Sequence, residues 1–75
     1  MKHDHEIDIK GLCCSGPVLK LTKEFKTYTS GDVAFVISDK SSSANDIPAY
    51  CRMTNHELLK QEEIEGLYHF WIKKQ

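Results

Sequence analysis

The sequence predicts a small α+β domain whose elements follow the order β-α-β-α-β-β. Three features support this prediction: an alternating apolar pattern near the start, two helical patterns on either side of an apolar run, and a hairpin pattern near the end. Because strand–helix–strand connections are almost always right-handed, we expect both helices to pack on one face of the sheet. The opposite face should then be uncovered.

Length and composition indicate one ordinary globular domain. The chain has 75 residues, of which 40% are hydrophobic and 28% are charged. We therefore predict a single domain over residues 1–75, with residues 1–5 frayed. A chain of this length buries only about 60% of its unfolded surface, so a deep catalytic cavity is not expected. The net charge of −1 argues against a dedicated nucleic-acid binder.

The expected redox state of the cysteines depends on the cellular compartment of the protein. No apolar run approaches the ~20 residues that cross a bilayer, and the start MKHDHEID is too polar for a signal peptide. We expect a cytoplasmic protein without membrane association. Its three cysteines, Cys13, Cys14 and Cys51, should then be reduced. An odd number of reduced cysteines favours a working thiol over a disulfide framework.

The first half of the chain predicts a strand, a helix and a second strand. Ile7 and Ile9 alternate with polar residues, and Gly11 ends this strand. Pro17 suits the first helical turn, where its missing N–H costs nothing. The core-facing stripe comprises Val18, Leu21, Phe25 and Tyr28, and the segment closes at Ser30-Gly31-Asp32. The apolar run 33–37 is typical of a central strand.

The second helix begins between Ser43 and Asp46. Pro48 must lie in its early part, because a proline deeper inside a helix costs about 3 kcal/mol. Asn55 is predicted to be a left-handed cap at the end of the helix. The inward face of the helix comprises Ile47, Tyr50, Cys51 and Thr54.

The last third of the chain predicts a β-hairpin. Its arms span residues 56–64 and 67–73, around a Glu65-Gly66 turn. Strand alternation places Tyr68, Phe70 and Ile72 on one face and Leu67, His69 and Trp71 on the other. Trp71 is therefore a candidate for the uncovered face of the sheet.

Cys14 lies just before the predicted start of the first helix. Free N–H groups and the helix dipole favour negative charge there by about 0.3–1 kcal/mol, which lowers a thiol pKa by roughly 0.2–0.7. The thiolate is the nucleophilic form, so this position suits a cysteine that accepts sulfur. For an isolated cysteine, however, simple packing at the helix entrance is the more common role.

Three separated segments favour the sulfur-accepting role of Cys14 over simple packing. They are DIKGLCCSGPVLK at residues 8–20, DIPAYC at 46–51 and HEL at 56–58. They resemble the TusA/SirA family, whose opening motif is a strand, Gly-Leu, one residue and then Cys-Pro-x-Pro at the start of helix one. The second and third segments are similar to the second helix and third strand of that family. The register holds without gaps to residues 72–74, so the resemblance covers nearly the whole chain.

The resemblance implies a two-layer α/β sandwich with a mixed four-stranded sheet. It also implies that Cys14 accepts sulfane sulfur as a persulfide from a cysteine desulfurase or similar donor and passes it to a downstream acceptor protein. Destinations in the family include thiolation of a tRNA wobble uridine, molybdenum-cofactor metabolism and sulfur oxidation. The chain would be a sulfurtransferase-type sulfur carrier rather than a stand-alone turnover enzyme, and no cofactor is expected.

Ser15 stands where the family motif has its first proline. That proline would hold Cys14 extended and remove one N–H, whereas a serine can cap the helix by accepting a backbone hydrogen bond. We interpret the change as altered tuning of the thiol, because the nucleophile is retained. Gly16 and Pro17 complete the predicted support of Cys14 at the helix N-terminus. Lys40 replaces an acidic residue or proline of related chains, which predicts altered docking of the desulfurase.

The other two cysteines each have two interpretations. Cys13 is a passive side chain or a resolving thiol, and the passive role is favoured because a vicinal disulfide strains the intervening peptide. Cys51 is a core residue or a second redox thiol, and core packing is favoured by its apolar neighbours. No metal site is predicted, since adjacent cysteines lack the two-residue separation of a zinc motif and no second ligand pair follows.

The alternative function is a non-catalytic regulatory module that binds RNA or a protein through the uncovered sheet face. Its binding surface would comprise Tyr68, Trp71, Lys20, Lys23, Lys26, Lys73 and Lys74. A solvated surface is the favoured interpretation of these lysines, because acidic residues are interleaved with them. Sulfur transfer is the preferred function, chiefly on the family resemblance.

Overall fold

The computed structural model describes residues 2–12 and 16–75. Its elements, in chain order, are β1 (His5–Asp8), α1 (Gly16–Phe25), β2 (Val33–Ser38), α2 (Ser43–Thr54), β3 (Glu57–Ile64) and β4 (Leu67–Lys73). This is the order predicted from the sequence. Within the described residues, neither helix has the length and apolar character that a membrane crossing requires.

The four strands form one mixed sheet in the order β1-β2-β4-β3. β1 lies parallel to β2, with Ile7 opposite Val36, and β4 lies antiparallel to β2, with Phe70 opposite the same Val36. β3 pairs antiparallel with β4, with an irregularity between Leu58 and Lys60. The apolar run of β2 is therefore paired on both sides, which confirms the prediction of a central strand and of an α+β fold.

The core fills the space between the sheet and the two helices. The strands contribute Ile7, Ala34, Val36, Phe70 and Ile72, Ile9 joins them just after β1, and the helices contribute Leu21, Phe25, Ile47, Tyr50 and Cys51. All of these side chains are buried, and they form a single cluster. Both helices therefore lie on one face of the sheet, as the right-handed connections predict.

Tyr68 belongs to the helix side of the sheet. It packs against the same core as Phe70 and Ile72, as the alternation along β4 requires. Trp71 lies on the uncovered face, where its ring contacts Phe35 at 4.9 Å between centroids. The prediction of the alternative binding surface, which includes both Tyr68 and Trp71, is therefore wrong for Tyr68.

α1 is shorter than the segment that the sequence assigns to it. The N–H of Thr27 donates to the Glu24 carbonyl at 3.0 Å, and the N–H of Tyr28 donates to the Phe25 carbonyl at 3.2 Å. These tighter i→i+3 bonds end the helix at Phe25, although Tyr28 still packs against the core. Pro17 occupies the second position of α1, as predicted.

α2 tolerates its proline with the help of β3. Pro48 is the sixth residue of the helix and has no N–H for the carbonyl of Ala44. Gln61 Nε2 on β3 donates to that carbonyl at 3.3 Å, so the acceptor is satisfied from outside the helix. Asn55 ends α2 with φ 64°, which confirms the predicted left-handed cap.

The start of β1 is fastened to the start of β2 by short polar side chains. Asp4 N–H donates to the Val33 carbonyl at 2.8 Å, and Val33 N–H donates to Asp4 Oδ2 at 2.9 Å. His5 Nε2 lies 2.8 Å from Asp32 Oδ2, and its ring stacks on Tyr28 at 3.6 Å. Partners 27 to 29 positions away thus complete the hydrogen bonds of His5 and Asp4, two of the residues expected to be frayed.

The contact between His5 and Asp32 predicts a pH-dependent stability. The hydrogen bond to His5, followed by one from the Thr29 N–H, lowers the pKa of Asp32 from its ordinary value of 3.8. Such a carboxyl contributes stability that is present above its unfolded pKa and is lost as the pH falls through its folded pKa. Asp32→Asn should therefore melt below the wild type near pH 7, and the difference should shrink below about pH 4.

Thermal unfolding followed by circular dichroism measures this difference in Tm. Glu63→Gln is a matched control, because Glu63 is an exposed carboxyl on the edge strand β3. It should leave the Tm unchanged across the same range. A deficit of Asp32→Asn that persisted undiminished in acid would contradict the assignment.

Candidate functional site

The predicted nucleophile lies outside the described residues, together with Cys13 and Ser15. The residues on either side define where the site is. Leu12 precedes the stretch and Gly16 begins α1 immediately after it. A side-chain carbon on Gly16 would lie 3.5 Å from Leu12 Cβ, so these two flanks lie close together. Leu12 and Gly16 therefore both lie at the N-terminus of α1.

The segment that leads to Cys14 is held by hydrogen bonds at the end of β1. Gly11 has φ 80°, a left-handed conformation that favours glycine, and its N–H donates to Asp39 Oδ1 at 3.1 Å. Leu12 N–H donates to the Ile9 carbonyl at 3.2 Å. Asp39 follows β2 directly, so the loop before α2 supports the loop before α1. Sequence reasoning did not identify Asp39, whose only signal was an acidic residue at a strand end.

Two helix N-termini meet at this end of the sheet. α1 follows β1 and α2 follows β2, and the two strands are parallel neighbours. The first turn of α1 contains no acidic side chain, so its N–H groups and dipole favour an external anion by about 0.3–1 kcal/mol. α2 begins at Ser43, whose hydroxyl lies 2.6 Å from that of Ser38. The start of α1 therefore favours negative charge, whereas the first turn of α2 already contains Asp46.

An exposed apolar surface adjoins the start of α1. Leu19 and Met53 are 65% and 84% exposed, although both are large hydrophobic residues. A groove of about 290 Å³ runs between the two helices, and we call it the α1–α2 groove. It is lined by Val18, Asp46, Ala49, Tyr50 and Met53. The groove and Leu19 give the site an apolar surface in the first turn of α1, which sequence reasoning also missed.

Cys51 lies in the core on the inner face of α2. Its residue is 2% exposed, and burial raises the pKa of the thiol to about 11 despite the opposing charge of Arg52. A thiol with that pKa is protonated near neutral pH and is a poor nucleophile. The structure therefore favours core packing for Cys51 over the alternative redox role.

Lys73 is exposed and shares the uncovered sheet face with Trp71 by the alternation along β4, but the other lysines of the alternative binding surface do not gather there. Lys20, Lys23 and Lys26 are exposed positions of α1 and the turn after it, and α1 packs on the other face. Lys74 Nζ donates to the Tyr28 carbonyl at 2.7 Å. The basic side chain beside Trp71 is that of Lys60, whose Nζ lies 2.6 Å from Glu62 Oε1.

Metal chemistry receives no support from the described ranges. Across residues 2–12 and 16–75, no three side chains of His, Cys, Asp or Glu come together in an arrangement suited to a metal ion. His3 and Glu6 form a pair at 3.0 Å, and His56 Nδ1 accepts a hydrogen bond from the Gln75 N–H. In both histidines, a ring nitrogen that could bind a metal ion is thus hydrogen-bonded to another residue of the chain.

Comparison with known proteins decides the family. The family model described as Sulfurtransferase TusA matches residues 5–74. The chain belongs to the TusA family. It is 42% identical over 72 residues to the sulfur carrier protein TusA of Pseudomonas entomophila (strain L48), a match that covers 96% of this chain and 90% of the relative. It is 38% identical over 71 residues to that of Allochromatium vinosum, covering 95% and 93% of the two chains.

A solved structure supports the fold of this TusA-family chain. The crystal structure of a SirA-like protein from Desulfitobacterium hafniense superimposes with a TM-score of 0.80 at 21% identity. The match covers 93% of this chain and 96% of that one. It confirms the two-layer fold that the TusA/SirA resemblance implied.

The burial of Cys51 predicts a difference in thiol reactivity. In the native TusA-family chain, iodoacetamide near pH 8 should leave Cys51 unmodified, because only its small thiolate fraction reacts and the side chain is enclosed. In denaturant, the same residue should alkylate fully. Peptide mass spectrometry after each treatment measures the modification. Native alkylation of Cys51 at the rate seen in denaturant would show that the residue is not buried.

Proposed function

We propose that this chain is a sulfur carrier that holds sulfane sulfur as a persulfide on Cys14. The supporting observation is position: Cys14 precedes by two residues a helix whose first turn contains no acidic side chain. The flanking residues Leu12 and Gly16 lie close together, and Asp39 accepts a hydrogen bond from Gly11 in the segment before them. Ser15, Gly16 and Pro17 would offer the helix N-terminus to the anion. The named relatives, sulfur carrier proteins, are consistent with this role.

The chemistry requires one nucleophile and no cofactor. The Cys14 thiolate attacks the outer sulfur of a donor persulfide, the donor S–S bond breaks, and the donor leaves as a thiolate. The new persulfide on Cys14 then presents its outer sulfur to an acceptor thiolate, and Cys14 leaves in its original form. Each step exchanges one S–S bond for another, so the transfer is redox-neutral overall.

The same site must meet two different proteins. We propose a cysteine desulfurase or similar enzyme as donor and a downstream acceptor protein in tRNA thiolation, cofactor or sulfur metabolism. A reducing cytoplasm would keep Cys14 free between transfers. The α1–α2 groove and Leu19 provide an apolar contact surface that includes Val18 and Leu19 near the start of α1. Exposed apolar side chains of this kind often mark protein–protein contacts.

The assignment of Cys14 predicts the outcome of a loading experiment. Incubation with a cysteine desulfurase and cysteine should add one sulfur mass to the wild-type chain, measured by intact mass spectrometry without reductant. Cys14→Ala should gain none, because the accepting thiolate is absent. Cys13→Ala and Cys51→Ala are matched controls that should still be loaded. Equal loading of Cys14→Ala and the wild type would refute the assignment.

The apolar contact surface predicts the effect of an added charge. Met53→Asp should slow transfer from the desulfurase about tenfold, which corresponds to about 1.4 kcal/mol of lost contact. Stopped samples analysed by mass spectrometry give the rate. Ile64→Asp is the matched control, because Ile64 is also exposed but lies beside the β3–β4 turn. Unchanged transfer by Met53→Asp, or equal slowing by both variants, would exclude the groove as the docking surface.

A further inference from the structure

A second groove lies at the opposite end of α1 from Cys14. It has a volume of about 230 Å³ and is lined by Thr22, Phe25, Lys26, Tyr50, Thr54, His56 and Lys74. We call it the aromatic groove. At about 1.5 Å per residue, Phe25 is roughly 14 Å along the helix axis from Gly16. The aromatic groove is therefore separate from the proposed sulfur-carrying site.

The floor of the aromatic groove is built from flat rings. The ring of His56 stacks on that of Phe25, with 4.5 Å between centroids and 22° between planes. Tyr50 lies 6.1 Å from His56, and both Tyr50 and Phe25 are buried members of the core. Because Phe25 and Tyr50 are buried, the ring that a planar ligand can reach is that of His56, which its stacking on Phe25 holds in place.

Polar groups surround this floor on several sides. The hydroxyls of Thr22 and Tyr50 lie 3.3 Å apart and can orient together. His56 Nδ1 accepts the N–H of Gln75, so a neutral His56 carries its proton on Nε2. Burial and the charge of Lys74 lower the pKa of His56 below 6.5, which favours that neutral form. The groove thus combines an uncharged aromatic floor with hydroxyl donors.

The rim of the aromatic groove is positively charged. Lys26 is exposed at the end of α1, and Lys74 Nζ donates one of its three N–H bonds to the Tyr28 carbonyl. Both helices end near this groove, and each C-terminus carries about half a negative charge. Two full positive charges exceed these partial charges. Asp32, an acid near Lys74, pairs with His5.

We propose that the aromatic groove binds a small planar aromatic carboxylate. The ring would stack on the face of His56 that is turned away from Phe25, and the carboxylate would pair with Lys26 and Lys74. A ring alone would leave the cations unused, and an anion alone would leave the accessible face of His56 exposed to water. The volume admits a single substituted ring. This activity goes beyond sulfur transfer and does not require Cys14.

Titration of the isotope-labelled chain with 4-hydroxybenzoate, followed by two-dimensional NMR, tests the proposal. Shift changes should cluster at Thr22, Phe25, Tyr50, Thr54 and His56 and should saturate at millimolar probe. 4-Hydroxybenzyl alcohol, which lacks the charge, and acetate, which lacks the ring, should each bind at least threefold more weakly. Shifts scattered over the surface, no shifts at millimolar probe, or equal binding of either partial probe would overturn the proposal.

A matched pair of lysine variants tests the role of the rim. Lys26→Gln should weaken binding of 4-hydroxybenzoate at least threefold, whereas Lys23→Gln, the same change at an exposed position outside the groove, should not. Equal effects of the two variants would contradict the proposed carboxylate contact. Cys14→Ala should bind the probe like the wild type. Binding of 4-hydroxybenzoate in the aromatic groove and loading of sulfur on Cys14 can therefore fail independently of each other.

Discussion

The pairing of β1 with β2 beneath a shared helix layer is the constraint on which the rest of the molecule depends. Ile7 and Val36 lie opposite each other in that parallel pair, and both are buried under the helices. Parallel neighbours place the ends of both strands at one edge of the sheet, so both helices begin there. The position proposed for sulfur transfer thus follows from the packing of the core. Loss of this pairing would separate the Asp39 side chain from Gly11 and release the loop before Cys14.

The same core separates the two thiol environments of the chain. Cys51 is enclosed by it, and burial raises the pKa of its thiol to about 11. Cys14 lies in the sequence two positions before Gly16, the first residue of α1. Two cysteine side chains of the same chemistry thereby have different roles: Cys51 packs in the core, and in our proposal Cys14 is the nucleophile. A chain of 75 residues can carry both because a sulfur carrier requires no deep pocket.

Local patterns predicted most of the fold because each reflects a local physical cause. The apolar run of β2 predicted a central strand, and Asn55 predicted a left-handed cap, which has φ 64°. Features that depend on distant partners were not predictable. Gln61, 17 residues from Ala44, satisfies the carbonyl that Pro48 leaves without a donor. The bond from Gly11 to Asp39 and the apolar groove beside Met53 likewise require the tertiary fold. The role of Cys14 stays a prediction, which rests on its place before a helix and on the motif around it.

The pH dependence of Cys14 alkylation tests the central claim most directly. In a Cys13→Ser variant, with Cys51 enclosed in the core, the rate of native alkylation reports the thiolate fraction of Cys14. We predict a midpoint below about 8.5, the ordinary pKa of a free thiol, because the helix N-terminus favours the anion. A midpoint at or above that value, or a Cys14 inert in the native chain, would contradict the account.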